Sequence, residues 1–423
     1  MAALIVFGWG LTDGPFVDEY AYITQCYYAD LFFGGDRNDP AWLDEPFAID
    51  LQPIPKYLVG ASFRAAHLRR PRRSDAFLWY QNAHTRFGPP EALTIARLPI
   101  LAVGVAGVLA IFGCGLAIGG RWTAALAGLL LIADPLYRLH AHRAMSDVPC
   151  EAFSIASLGL ALVGLSSPGN DRVLRSGIFW MAMAGIASGL AIDCKLNGLL
   201  GPMVLATWSG LLMIAPGSGW RIRRRIVAVG VAAVATMLVT LMFFNPTYTC
   251  RPRVPITQPE FVSRAQEPPW ARFRRMVQFR LSTAEEQRKM EKFDRDVVRG
   301  PAEKAAVFAV QGFGRFGPLG PSASNSEVRY DGWQDWGMVF WWPIVILGVV
   351  RAGRIGRRQI QEGHPPTAWA LLVWAAIAWA VVAAYLPLAW DRYFLPIQAP
   401  NALLGALALA GLLERRKRKE VTD

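Results

Sequence analysis

Cysteine is scarce. The five residues Cys26, Cys114, Cys150, Cys194 and Cys250 fall in no CxxC and no Cys/His metal spacing, which excludes a zinc site and a disulfide framework. Only a Cys26–Cys250 bridge outside the membrane is left open. A cleavable signal pattern is lacking, because MAALIVFGWG has neither a basic n-region nor a small-residue cleavage site. That opening is also too short to span comfortably, so a start codon upstream is expected. Acids are outnumbered, 32 Asp and Glu against 44 Lys and Arg, for a formal charge of +12. The surplus would suit nucleic acid, but the basic residues lie mostly between apolar runs, and no nucleic-acid partner is expected. Transporter-type repeats are absent, and no apolar run carries charge near its middle.

What is present is apolar material. Of 423 residues, 53% are hydrophobic and 12% aromatic, more than one soluble core could use, which predicts an all-α polytopic membrane protein. Apolar runs occur at 1–12, 93–117, 121–137, 147–166, 176–193, 197–215, 226–244, 337–350, 367–386 and 395–413, which gives about ten transmembrane helices. With the N-terminus inside, Arg121, Arg172, Arg175, the WRIRRR run, Arg351 to Arg358 and the ERRKRKE tail all collect on the cytoplasmic side. RRPRR at Arg69 to Arg73 falls outside, in a longer loop where the rule has less force. The expected organisation is an N-terminal transmembrane module 1–244 with a first outer loop 13–92, a second outer loop 245–337, and C-terminal helices with a basic tail 338–423.

The stretch FVDEYAYITQCYYADLFF places Asp18 and Glu19 just after the first apolar run. Tyr20, Ile23, Tyr27 and Leu31 follow at helical spacing, predicting an amphipathic helix on the membrane surface. The acids either cap that helix or do chemistry at its N-terminus. Other polar residues fall near the same outer face. DPLYRLHAHRAMSDVP carries His140, His142, Arg143 and Asp147, and Asp147 either caps the fourth span or reaches into a cavity. The two histidines, two residues apart, make a poor pair of ligands for one metal. Lys195 in DCKLNG, Arg97 at the start of the second span, and Arg392 with Tyr393 in WDRYFLP are either snorkelled interface residues or members of a site. Together these acids and bases suit removing a proton from a hydroxyl while neutralising a departing phosphate.

In the order and membrane placement of VDEYAY, LQPIPKYLVG, ARLP, MSDVP, the Lys195 turn, the NP that leaves the seventh span and DRYFLP, the chain resembles the GT-C membrane glycosyltransferases. The resemblance is to the branch containing protein O-mannosyltransferases and bacterial lipid A aminoarabinose transferases. It implies a GT-C fold and an inverting transfer of sugar from a polyprenyl-phosphate donor to an acceptor hydroxyl at the outer face. Asp18 would be the base. Arg392 and Lys195, with Arg97 and Tyr393, would hold the donor phosphate, and Glu19, Asp147 and His142 would orient the acceptor or a divalent metal ion. Some relatives carry Glu-Lys before their Pro-Pro segment, where this chain has Leu51 and Gln52, with Lys56 after the prolines. No MIR-type module is present, and acceptor binding falls to the outer loops or a partner. The expected location is a bacterial inner membrane with the site facing the periplasm. The alternative reading is a transporter or flippase of a lipid-linked sugar.

Overall fold

Apolar runs of bilayer length satisfy their backbone groups internally only as helices. In the computed structural model every one of the ten runs lies in or overlaps a helix. The structure describes residues 1–43, 47–71, 91–166, 171–214, 220–252, 259–291, 294, 297–312 and 334–422. Part of RRPRR and most of GFGRFGPLGP lie outside the described residues. The helices are α1 (Ala2–Gly8), α2 (Val17–Thr24), α3 (Tyr28–Phe33), α4 (Phe47–Asp50), α5 (Pro53–Ala65), α6 (Glu91–Ala133), α7 (Pro135–Ala141), α8 (Asp147–Ser166) and α9 (Asp171–Cys194). They continue with α10 (Leu200–Ile214), α11 (Trp220–Phe244), α12 (Pro259–Gln266), α13 (Pro269–Lys289), α14 (Pro301–Gln311), α15 (Gln334–Gln361), α16 (Thr367–Tyr385) and α17 (Leu395–Thr422).

The second and third expected spans are continuous in α6, 43 residues interrupted at Gly120, whose φ of 81° is left-handed backbone that glycine adopts without a Cβ clash. The chain doubles back there. A Cβ on Gly115 would lie 2.7 Å from Ala124 Cα, and one on Gly128 would lie 3.8 Å from Val108. In the first expected span the described helix, α1, has seven residues, about 10 Å at 1.5 Å per residue.

α8 packs between α6 and α9, α11 lies along α9, and α17 lies against α6 and α15. The span Asp391–Glu414 is 89% buried, which makes α17 the central helix of the bundle. Close approach of α9 and α11 depends on a GxxxG pair: a Cβ on Gly185 would meet Ala233 O at 2.1 Å, and one on Gly189 would meet Thr240 Cβ at 2.7 Å. The starts of α8, α10 and α17 and the ends of α9 and α16 come together at one end of the bundle, where α2, α5 and α13 also sit.

The outer segments depart from the periodicity reading. The single amphipathic helix expected over 16–33 is two helices, α2 and α3, because Tyr27, Tyr28 and Trp42 draw the second half into their own aromatic cluster. Ring centroids are 4.6 Å apart for Tyr27–Tyr28 and 4.9 Å for Tyr28–Trp42. The segment from Glu260 to Arg299, which the sequence reads as one charged helical run, breaks at Pro268–Pro269 into α12 and α13, since proline opens a helix better than it continues one. All five cysteines are free and buried, so Cys26 and Cys250 form no bridge.

Candidate active site

The acidic pair divides its work between neighbours. Glu19, the third residue of α2, turns back to accept from Phe16 N at 2.8 Å, one half of a capping box. Its carboxylate also accepts Arg97 Nε at 2.8 Å, Arg97 Nη2 at 2.7 Å and Ala144 N at 2.8 Å. Arg97 spends its remaining donors on the carbonyls of Leu11 at 2.9 Å, Asp13 at 2.7 Å and Gly14 at 3.0 Å. Both side chains are fully buried. Burial alone raises the Glu19 pKa, but the Arg97 hydrogen bonds and charge outweigh it and hold the carboxyl below its usual range, so the pair is ionised. This clamp fixes the 10–16 segment, and thereby the start of α2.

Asp18, about 100° around the same helix, points the other way. It lines a cavity of about 730 Å³ at the end of the bundle. There it is paired with Arg392 Nη1, and Arg392 also stacks its guanidinium over Trp390 at 5.0 Å. Across the cavity Lys195 Nζ donates to Asp147 Oδ1 at 2.6 Å. Tyr22 OH and Ser146 Oγ, 2.7 Å apart, lie between the two pairs in sequence and also line the cavity. Two acids thus face two bases over one space. Such a site offers a carboxylate to take a proton and two cations to hold an anion.

Asp18, Asp147, Lys195, Arg392 and Tyr393 are brought together on the cavity wall. Three of the expected site residues are not. Arg97 is sealed against Glu19 and has no cavity-facing donor, so it cannot reach a donor phosphate there, and Glu19 likewise cannot reach an acceptor. His142 packs its ring beside Gly10 and lies 3.2 Å from Asp13 Oδ2, away from the cavity. Burial, then the nearby Arg97 charge, pushes its pKa down to about 4, so it is neutral at pH 7. Spacing alone could not separate these three from the rest, because the partners that claim them lie scores of residues away.

The sequence reading passed over the cavity wall built by α13. Arg280, Thr283 and Gln287 line it at i, i+3 and i+7, and their one available signal is that helical spacing within the charged run. Among the described residues no group of three or more His, Cys, Asp or Glu gathers to hold a metal ion. Three acids line the cavity; Asp18 and Asp147 are taken by Arg392 and Lys195, and Glu286 on α13 does not gather with them into a metal-binding group, so the residues do not fit a preformed divalent site.

Residues 73–248 match the family model described as dolichyl-phosphate-mannose-protein mannosyltransferase. No curated protein matches the chain in sequence. Among solved structures, ArnT from Cupriavidus metallidurans bound to undecaprenyl phosphate matches at 19% identity and a TM-score of 0.54, over 96% of this chain and 58% of that one. The archaeal oligosaccharyltransferase AglB from Archaeoglobus fulgidus, in complex with an inhibitory peptide and a dolichol-phosphate, matches at 13% and 0.58, over 100% and 50%. The apo form of the Archaeoglobus fulgidus oligosaccharyltransferase matches at 14% and 0.59, over 100% and 51%. The chain spans between 50% and 58% of the length of these structures. Its fold is like that of these membrane-protein structures, and residues 73–248 are similar to the dolichyl-phosphate-mannose-protein mannosyltransferase family.

Proposed function

We propose that the protein is an inverting glycosyltransferase that moves a sugar from a polyprenyl-phosphate donor to an acceptor hydroxyl at the outer face of the membrane. The observation that carries this reading is the pair of acid–base contacts, Asp18 with Arg392 and Asp147 with Lys195, facing one cavity at one end of the helices. Asp18 takes the acceptor proton as the acceptor oxygen bonds to the anomeric carbon. The bond from that carbon to the phosphate oxygen breaks, and its electron pair stays on the phosphate. Inversion puts base and leaving oxygen on opposite faces of the carbon, so the arriving phosphodiester must draw Arg392 off Asp18. That exchange bares the base only when donor is present. Arg392 and Lys195 then offset the charge that builds on the phosphate, while Asp147 orients Lys195. The flippase alternative draws no support from a cavity whose charged groups all lie at one end of the bundle.

Purified protein incubated with polyprenyl-phosphate sugars and candidate acceptors tests the reading through Arg392. Arg392→Ala should lower transfer on the order of 100-fold or more, and Arg392→Lys should restore only part, because an ammonium keeps the charge but loses the two-pronged hold. Full activity in Arg392→Ala would remove this residue from the reaction.

A further inference from the structure

The cavity has two chemically different walls. One is apolar: Leu199, Leu200 and Met203 on one side, and Val381, Val382 and Leu386 on the other, from the α10 and α16 region. Met203 is 47% exposed on the membrane-spanning surface, so this wall is continuous with the lipid. The C-terminal half of α13, an extramembrane helix, also lines the cavity and presents Arg280, Thr283, Glu286 and Gln287 alongside the apolar Val277, Leu281 and Ala284. This helix is held in place from its other end. Arg272 donates to the carbonyls of Thr247 and Cys250 at 2.9 Å each, Ala265 at 2.9 Å and Glu267 at 3.0 Å.

The polyprenyl chain and the sugar leave the donor phosphorus through different oxygens. With phosphate between Arg392 and Lys195, the α10 and α16 wall, which carries no charged side chain and reaches the lipid, suits the apolar chain, and this directs the sugar toward the polar groups of α13. A hydroxyl, a carboxylate and an amide on one helical face form a set suited to sugar hydroxyls, since each can accept from or donate to them. The Thr283 hydroxyl already donates to Phe279 O at 2.9 Å, which leaves its lone pairs to accept. We propose that Thr283, Glu286 and Gln287 of α13 read the hydroxyl pattern of the transferred sugar and set donor specificity. This rests on the glycosyltransferase reading and adds the part of the chain that chooses the sugar.

The test measures binding of two probes to the full chain in detergent: polyprenyl phosphate alone, and polyprenyl-phosphate hexoses of gluco and manno configuration. Gln287→Ala and Thr283→Val should weaken the hexose donors by roughly tenfold each, the usual scale of one lost hydrogen bond, and leave polyprenyl phosphate binding unchanged. Glu286→Gln should alter the ratio between the gluco and manno donors. Equal weakening of all probes, unchanged binding of all probes, or an effect confined to the acceptor KM would overturn the assignment. If a variant folds poorly, normal polyprenyl phosphate affinity serves as the folding control, and Gln287→Glu provides a second substitution at that position. If the unmodified protein binds neither polyprenyl phosphate nor any donor, the glycosyltransferase reading falls and takes this inference with it.

Discussion

Neighbouring carboxylates with opposite duties are the main lesson at the residue scale. Motif order singles out Asp18, and hydropathy brings both acids to the membrane edge, but only the fold shows that Glu19 is spent on Arg97, 78 residues away. For the same reason Glu19→Gln is not a mild change. It leaves the buried Arg97 without a countercharge, and breaking such a pair costs about 3–5 kcal/mol. The expected outcome is a large fall in folded yield and in thermal unfolding temperature, with little retained activity because the start of α2 is released. Normal thermal stability in Glu19→Gln would mean that the pair is not a structural clamp. Tyr22 was not singled out, yet its hydroxyl reaches Ser146, a contact that no spacing rule joins across 124 residues.

Elements were legible where they cross lipid and less so where they cover the site. The apolar runs marked the spans because the bilayer forces a long, nearly uniform signal. The doubling back of α6 at Gly120 packs the two runs against each other as an antiparallel pair, each of bilayer length, so hydropathy alone placed them well. Aromatic packing split the surface helix into α2 and α3, and tertiary contact of this kind overrides period. The second outer loop was expected to take part in acceptor binding, but nothing in its charged run pointed to the particular residues of α13 that line the cavity. Its anchorage rests on Arg272, whose hydrogen bonds to carbonyls are of the stronger charged type, about 1.5–3 kcal/mol each. Arg272→Ala should therefore free α13 from the 247–250 segment. Limited proteolysis should cut between residues 266 and 290 much faster than in the unmodified chain, and unchanged protection there would show that α13 is held by other contacts.

At the scale of the whole molecule, the chain is an integral membrane protein whose cavity, acid–base pairs and covering helix lie at one end. The proposal that they face outside the cell rests on basic residues in short loops, and it predicts a labelling pattern. The native cysteines are all buried, so single exposed cysteines report cleanly. Ser282→Cys on α13 should react with an impermeant thiol reagent in intact cells, whereas His364→Cys, in the turn between α15 and α16, should react only after lysis. The reverse order would move the site to the cytoplasmic face. The most direct test of the account is turnover by Asp18→Asn. Asparagine keeps the shape and caps a helix about as well as aspartate, but its amide cannot accept the acceptor proton. Measured on matched amounts of purified protein, with donor binding as the folding control, turnover should fall on the order of 100- to 10,000-fold while donor still binds. Near-normal turnover would contradict the assignment of Asp18 as the base.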